Sequence, residues 1–211
     1  MTRIIAGRFG GRRLAVPPSG TRPTSDRARE GIFSTLGSLL AGPGGRGGFT
    51  GLRMLDLYAG SGAIGLEAWS RGAAHVVLVD AAPRAVGVAR ANIAALEPHA
   101  EPGTDAVVVA AKVASAVGEL PPSGFDVVFA DPPYDLPGHD LVDVLVQLGE
   151  RDLLAEGAIV AVERAARDPW GWPEGFEAVR ERRYGDAQVW YGVWYGRAAR
   201  AGRAKSGPVQ S

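Results

Sequence analysis

A chain of 211 residues and 22.0 kDa, 46% hydrophobic and 22% charged, has the make-up of one globular domain large enough to bury its own core. It contains no cysteine, which excludes disulfides, Cys-ligated zinc, iron–sulfur clusters and a thiolate nucleophile. Basic and acidic residues tie at 23 each, yet residues 1–36 carry a net +5, residues 197–211 a net +4 and the stretch between them a net −9. Basic ends on an acidic body point to a polyanionic partner.

In chain order, Ile4-Ile5-Ala6 and Leu14-Ala15-Val16 flank a Gly/Arg turn and predict a small hairpin. Nothing before it has the apolar run of a secretory leader, and no stretch is long enough to span a membrane, so a cytoplasmic address is expected. After Pro23, Thr24 or Ser25 is placed to cap a helix over about 26–40, whose apolar stripe is Ala28, Ile32, Phe33, Leu36, Leu39 and Leu40. Arg27 and Arg29 are read as lying off that stripe. The Gly-rich segment 41–51 is a loop.

From residue 52 strands and helices alternate. Strands are expected at Met54–Tyr58, His75–Val79, Ala106–Val109, Phe125–Ala130 and Ala158–Glu163, with helices at Ala63–Arg71, Pro83–Leu96, Ala114–Leu120 and Leu141–Leu148. That alternation predicts an α/β fold with a mostly parallel, doubly wound sheet. It ends differently, with a hairpin of Ala178–Arg183 and Gln188–Tyr195. Residues 197–211, rich in Gly, Ala and Arg, are expected to be a disordered basic tail.

The first strand of the alternation runs into Asp56-Leu57-Tyr58-Ala59-Gly60-Ser61-Gly62-Ala63-Ile64-Gly65. Gly60, Gly62 and Gly65 fit G-x-G-x-x-G between strand and helix, where glycines permit a tight turn and close approach of backbone to ligand. Asp80 ends the next strand, where a carboxylate accepts ribose hydroxyl hydrogens. Asp56, Tyr58, Ala59, Gly60, Ser61, Gly62, Gly65 and Asp80 are thus the candidate cofactor residues. Asp56 beside the loop suits a cationic ligand such as S-adenosylmethionine better than a pyrophosphate.

The strand at Phe125–Ala130 leads straight into Asp131-Pro132-Pro133-Tyr134. Two prolines stiffen the backbone and remove two donors, leaving the Asp131 carboxylate and the Pro132 carbonyl as acceptors and Tyr134 as an aromatic face. Such a corner suits an exocyclic amine, whose two N–H groups it can hold while the lone pair meets an electrophilic methyl. The amine of adenine, cytosine or guanine would serve equally, on DNA or RNA. A non-catalytic RNA-binding factor retaining a cofactor fold is a further alternative. The three histidines, 75, 99 and 139, are read as packing or surface residues, and the reaction needs no metal.

These residues resemble the nucleic-acid amino-methyltransferases, whose hallmark is Asp/Asn-Pro-Pro-Tyr/Phe. The segments Arg3-Ile4-Ile5-Ala6-Gly7, Gly11-Arg12-Arg13-Leu14 and Arg22-Pro23-Thr24-Ser25-Asp26-Arg27-Ala28-Arg29-Glu30 are similar to the arm of the bacterial small-subunit ribosomal RNA guanine-N2 methyltransferases. Leu55–Gly62 and Tyr184-Gly185-Asp186 match as well, so the resemblance runs from about residue 3 to 193.

It implies a Rossmann-like class I methyltransferase domain over 25–196 behind a basic arm over 1–24. It further implies S-adenosylmethionine as cofactor and the exocyclic amine of a guanine in 16S ribosomal RNA as target, acted on by a monomer in an assembled or late small subunit. Asp131, Pro132, Pro133 and Tyr134 would then be catalytic, and Arg3, Arg8, Arg12, Arg13, Arg22, Arg27 and Arg29 would track phosphates. Related enzymes often carry a polar or acidic adenine contact after the third strand. Here Val109-Ala110-Ala111-Lys112-Val113-Ala114-Ser115 has no acid, which leaves that contact unnamed.

Overall fold

The computed structural model describes residues 2–17, 25–42, 47–168, 170–185 and 187–196. The arm opens with β1 (Thr2–Arg3) and β2 (Arg13–Leu14), paired antiparallel with Thr2 opposite Leu14. This ladder is shorter than the expected hairpin because neighbouring backbone donors go to side chains of the domain instead. Ile5 N donates to Glu67 Oε2 at 2.7 Å, Ala6 N to Glu67 Oε1 at 3.0 Å, and Ala15 N to Asn92 Oδ1 at 2.8 Å. Ile4, Phe9 and Leu14 are buried in the same cluster as Met54 and Val76, so these three side chains anchor the arm to the domain core.

Helix α1 (Asp26–Leu40) starts where the cap signal places it, with Ser25 Oγ accepting from Ala28 N; Thr24 lies outside the described residues. Its buried face is Arg29, Ile32, Phe33, Thr35, Leu36 and Leu40. Arg29 is three residues before Ile32 and four before Phe33, so it lies on the apolar stripe rather than off it.

The central sheet is built from β3 (Arg53–Leu57), β4 (His75–Asp80), β5 (Asp105–Ala110), β6 (Phe125–Ala130), β7 (Leu154–Ala165), β8 (Phe176–Tyr184) and β9 (Ala187–Trp194). Between them run α2 (Ala63–Ser70), α3 (Pro83–Leu96), α4 (Val113–Glu119) and α5 (Gly138–Glu150). Strand order is β5-β4-β3-β6-β7-β9-β8, parallel through β7, with β9 antiparallel to both its neighbours. The fold is the α/β, mostly parallel sheet expected, with one refinement. The terminal hairpin folds back so that β9, not β8, joins β7. Burial explains this choice: Val189 and Tyr191 of β9 are buried, whereas β8 carries exposed Glu177, Glu181, Arg182 and Arg183 suited to a sheet edge.

Two apolar layers sandwich the sheet. One joins Ile32, Phe33 and Leu36 of α1 to Met54, Val76 and Val127; the other joins Leu141, Leu145 and Leu148 of α5 to Leu55, Val128 and Val160. All six residues of β6 are buried, as a central parallel strand covered on both faces requires. The strand order switches sides between the parallel neighbours β3 and β6, which opens a crevice at their carboxyl ends. Among the described residues no helix is long and apolar enough to cross a membrane.

Candidate active site

The glycine loop closes the crevice on the β3 side. Tyr58, Gly60 and Gly62 all have positive φ (61°, 57° and 79°), a left-handed path that a side chain tolerates poorly; Tyr58 is held there although it is not glycine. Gly60 N donates to Asp80 Oδ2 at 2.8 Å, and Ala82 N donates to Asp80 Oδ1 at 2.8 Å. The carboxylate of Asp80 is therefore fixed by two backbone donors at the end of β4. A Cβ at Gly60 would meet nothing within 4 Å, because that position opens on the crevice.

Gly62 and Gly65 have a different role. A Cβ at Gly62 would meet Leu78 Cδ1 at 2.7 Å, and one at Gly65 would meet Leu78 Cδ2 at 2.3 Å. Both are packing positions that seat α2 on the sheet, and neither lines the cavity. Gly65 acts on the site indirectly: its N–H donates to Asp56 Oδ2 at 2.8 Å. Among the expected cofactor residues, Asp56, Tyr58, Ala59, Gly60, Ser61 and Asp80 do line the cavity.

On the β6 side Asp131, Pro132, Pro133 and Tyr134 line the same cavity. Asp131 N donates to Leu57 O at 3.4 Å, Leu136 N to Pro133 O at 3.0 Å, and Arg164 Nη2 to Leu136 O at 3.0 Å. The proline corner is thus tied to the ends of β3 and β7. Tyr134 stands at the mouth, 69% exposed.

The cavity measures about 1460 Å³, and six carboxyl groups line it (Asp56, Asp80, Asp131, Asp140, Asp143 and Glu163) against Arg84 and Lys112. Burial pushes the Asp56 carboxyl up to about 8; the Gly65 N–H opposes the shift, while the charges of Asp131 and Asp80 add to it. Asp131 opens on the cavity but is walled by protein, and loss of hydration pushes it up to about 6. An acidic chamber with an open glycine at its floor fits a ligand carrying an ammonium and a sulfonium. It does not fit a dinucleotide pyrophosphate, which needs positive partners. The residues present therefore fit S-adenosylmethionine: Asp80 would hold the ribose, and Asp56 with the Ala59–Ser61 backbone the amino-acid end. The wall beyond β5 is Lys112, Val113 and Ala114, without an acid to meet adenine. Among the described residues no cluster could hold a metal ion.

Residues that the sequence patterns did not single out complete the site. Glu163 lines the cavity from β7 and is buried, and burial together with the nearby Asp131 pushes its carboxyl up to about 8. Asn92 on α3 clamps both the arm and the glycine loop: its Nδ2 donates to Ala15 O at 3.0 Å and to Ser61 O at 2.9 Å. Neither belongs to a motif; each stands where it does because distant segments converge.

The arginines expected to track phosphates separate into three groups. Arg12, Arg13 and Arg27 are exposed. Arg3 is exposed but paired with Asp26 at 3.1 Å, and Arg8 is exposed and paired with Glu101. Arg22 lies outside the described residues. Arg29 is corrected: it is fully buried and donates from Nη2 to Arg3 O and to Asp26 Oδ1 at 2.8 Å, so it braces the arm and cannot meet a phosphate. The arm itself reaches the cavity, where Val16 and Pro17 form part of the wall. Of the histidines, His75 Nδ1 lies 2.5 Å from Asp105 Oδ1, away from the cavity at the start of β4.

Known proteins resemble the chain over most of its length. The family described as Conserved hypothetical protein 95 matches residues 2–193. YlbH of Bacillus subtilis is 37% identical over 164 residues, 76% of this chain and 81% of that protein. Ribosomal RNA small subunit methyltransferase D of Escherichia coli is 34% identical over 163 residues, 76% of this chain and 73% of that protein. The solved structure of yhhF from Escherichia coli superposes with a TM-score of 0.75 at 29% identity, covering 92% of this chain and 98% of that one. The fold is that of the class I methyltransferases. From the cysteine-free acidic cavity to the match over nearly its whole length, the chain belongs to the family of the small-subunit ribosomal RNA methyltransferase D proteins.

Proposed function

We propose that the chain methylates the exocyclic N2 amine of one guanine in 16S ribosomal RNA, acting as a cytoplasmic monomer on the small subunit or a late assembly particle. The observation that carries this reading is the Asp131-Pro132 corner opening on the same acidic cavity as the Gly60 loop. The name of the Escherichia coli relative supports a small-subunit RNA substrate. So does the position of the arm, which brings exposed Arg12 and Arg13 close to a segment that walls the cavity.

S-adenosylmethionine supplies an electrophilic methyl group. The task of the chain is to present a poor nucleophile to it. The Asp131 carboxylate and the Pro132 carbonyl accept the two amine N–H groups, which turns the nitrogen lone pair out of conjugation with the ring and toward the methyl carbon. The cofactor would supply that methyl with the carbon–sulfur bond electrons leaving on its own sulfur, so the nitrogen lone pair is what this corner must present. Positioning of this kind supplies about 7–11 kcal/mol of barrier reduction. Asp131, ionised above about pH 6, stabilises the positive charge growing on nitrogen and takes its surplus proton. Tyr134 stacks on the target base at the mouth, worth about 1–3 kcal/mol, once the base has been splayed from its helix.

The test is labelled-methyl transfer to small subunits lacking the modification, followed by digestion to nucleosides. Label in N2-methylguanosine is expected; label in an adenine or cytosine amine, or none, refutes the reading. Asp131→Ala should abolish transfer while calorimetry shows cofactor affinity within a few-fold of the parent.

A further inference from the structure

Glu163 follows the paired residues Ala130 and Val162, so it stands beside Asp131 on the neighbouring strand, with backbones about 4.8 Å apart. Strand alternation puts it on the face of Ala161 and Ile159, and Asp131 on the same face as Phe129. It is 8% exposed and lines the cavity, and its Oε2 is buried without a hydrogen-bond partner. The groups facing it are Asp131 from β6 and the Tyr191 hydroxyl from β9, with Tyr184 and Thr35 of α1 grouped around that hydroxyl. Arg164, next in sequence, is turned to Leu136 O and Asp168 and does not neutralise it.

A carboxyl buried for structural reasons finds donors within the fold. This one lines the ligand chamber beside Asp131, with Oε2 sealed in the wall and no donor from the fold, so its donor comes from the ligand. We propose that Glu163 accepts the ring N1–H of the target guanine, next to the amine held by Asp131, and thereby selects guanine among the amino-bearing bases. This inference rests on the guanine-N2 reading above and deepens it. Guanine carries a ring N–H beside its exocyclic amine. Adenine N1 and cytosine N3 present a lone pair at that place, which Glu163 repels once ionised, above about pH 8. The same contact feeds electron density toward N2 and makes the amine a better nucleophile.

The test uses small subunits reconstituted with either guanosine or 2-aminopurine ribonucleoside at the target position. The analogue keeps the N2 amine but has a lone pair at N1. Assayed above pH 8, the wild-type protein should prefer guanosine by roughly 10–100-fold in kcat/KM, the range for losing a charge-assisted hydrogen bond. Glu163→Gln, whose amide can donate as well as accept, should bring the two substrates within a few-fold of each other at unchanged cofactor affinity. Its pH profile toward guanosine should keep the inflection of Asp131 near 6 and lose an upper one near 8. Glu163→Asp, retaining the charge, should keep the preference for guanosine at reduced rate. Equal use of both bases by the wild type, or an equal loss on both in Glu163→Gln, overturns the role of Glu163 alone. Failure of the wild type to methylate guanine at all overturns the underlying reading, and this role with it.

Discussion

Replacing Gly65 by alanine separates two explanations of the glycine motif. In a helix interior the change should stabilise by about 1 kcal/mol, because alanine restricts the unfolded chain. Here the added Cβ would meet Leu78 Cδ2 at 2.3 Å, Val76 Cγ1 at 2.9 Å and Asp56 Cβ at 3.3 Å. Leu78 and Val76 are fully buried, so α2 must lift or Leu78 must leave its rotamer. Overpacking of this kind costs about 1–3 kcal/mol, and it outweighs the propensity gain. A contact as short as 2.3 Å puts the cost at about 2–3 kcal/mol, so a net loss of about 1–2 kcal/mol lowers Tm by about 2–8 °C in a domain of this size. Because Gly65 does not line the cavity, cofactor affinity should stay within a few-fold of the parent. Gly60→Ala should behave in the opposite way. Its left-handed φ costs about 1–2 kcal/mol, and its methyl enters the chamber and weakens cofactor binding by about tenfold or more. Thermal denaturation and calorimetry on both variants decide the matter. A Gly65→Ala protein as stable as its parent, or one that loses affinity at unchanged Tm, would refute the packing argument.

Two further predictions follow from the polar network. Asp56, Asp131 and Glu163 all have carboxyl groups raised in the folded chain, to about 8, 6 and 8, whereas the unfolded chain releases these protons near 4. The folded state therefore holds more protons between those values, and the stability they confer is fully present below about pH 4 and lost as pH rises toward 8. Without cofactor, Tm should fall from pH 5 to pH 8, and Asp56→Asn should flatten that slope; a Tm that rises over the window contradicts the assignment. Asn92→Ala removes the hydrogen bonds to Ala15 and Ser61 at once and should cost about 1–3 kcal/mol. Backbone amides of residues 4–16 should then exchange faster by mass spectrometry; unchanged arm protection would show that Glu67, with Ser70 Oγ accepting from Phe9 N at 2.9 Å, holds the arm unaided.

Much of the architecture is local in origin. The limits of α3 and β6 read directly from the chain, Pro83 opening one and the unbroken apolar run Phe125–Ala130 marking the other as a strand buried on both faces. The Gly60 turn and the Asp131-Pro132-Pro133-Tyr134 corner could be found because glycine and proline impose backbone geometry wherever they stand. Periodicity at the start of α1 is less telling, because a cation stands on its buried face. Arg29 occupies a core position of the stripe, and only the convergence of Arg3 and Asp26 on it shows why a cation is buried there.

The sequence by itself determined the sheet-and-helix alternation, the cofactor loop and the proline corner, since each is written in neighbouring residues. Tertiary structure alone decided that β9 slips between β7 and β8, that Asn92 bridges arm and loop across 77 and 31 positions, and that Glu163 comes to rest beside Asp131. Those facts depend on which distant surfaces bury one another, and no short-range pattern in a chain encodes such a choice.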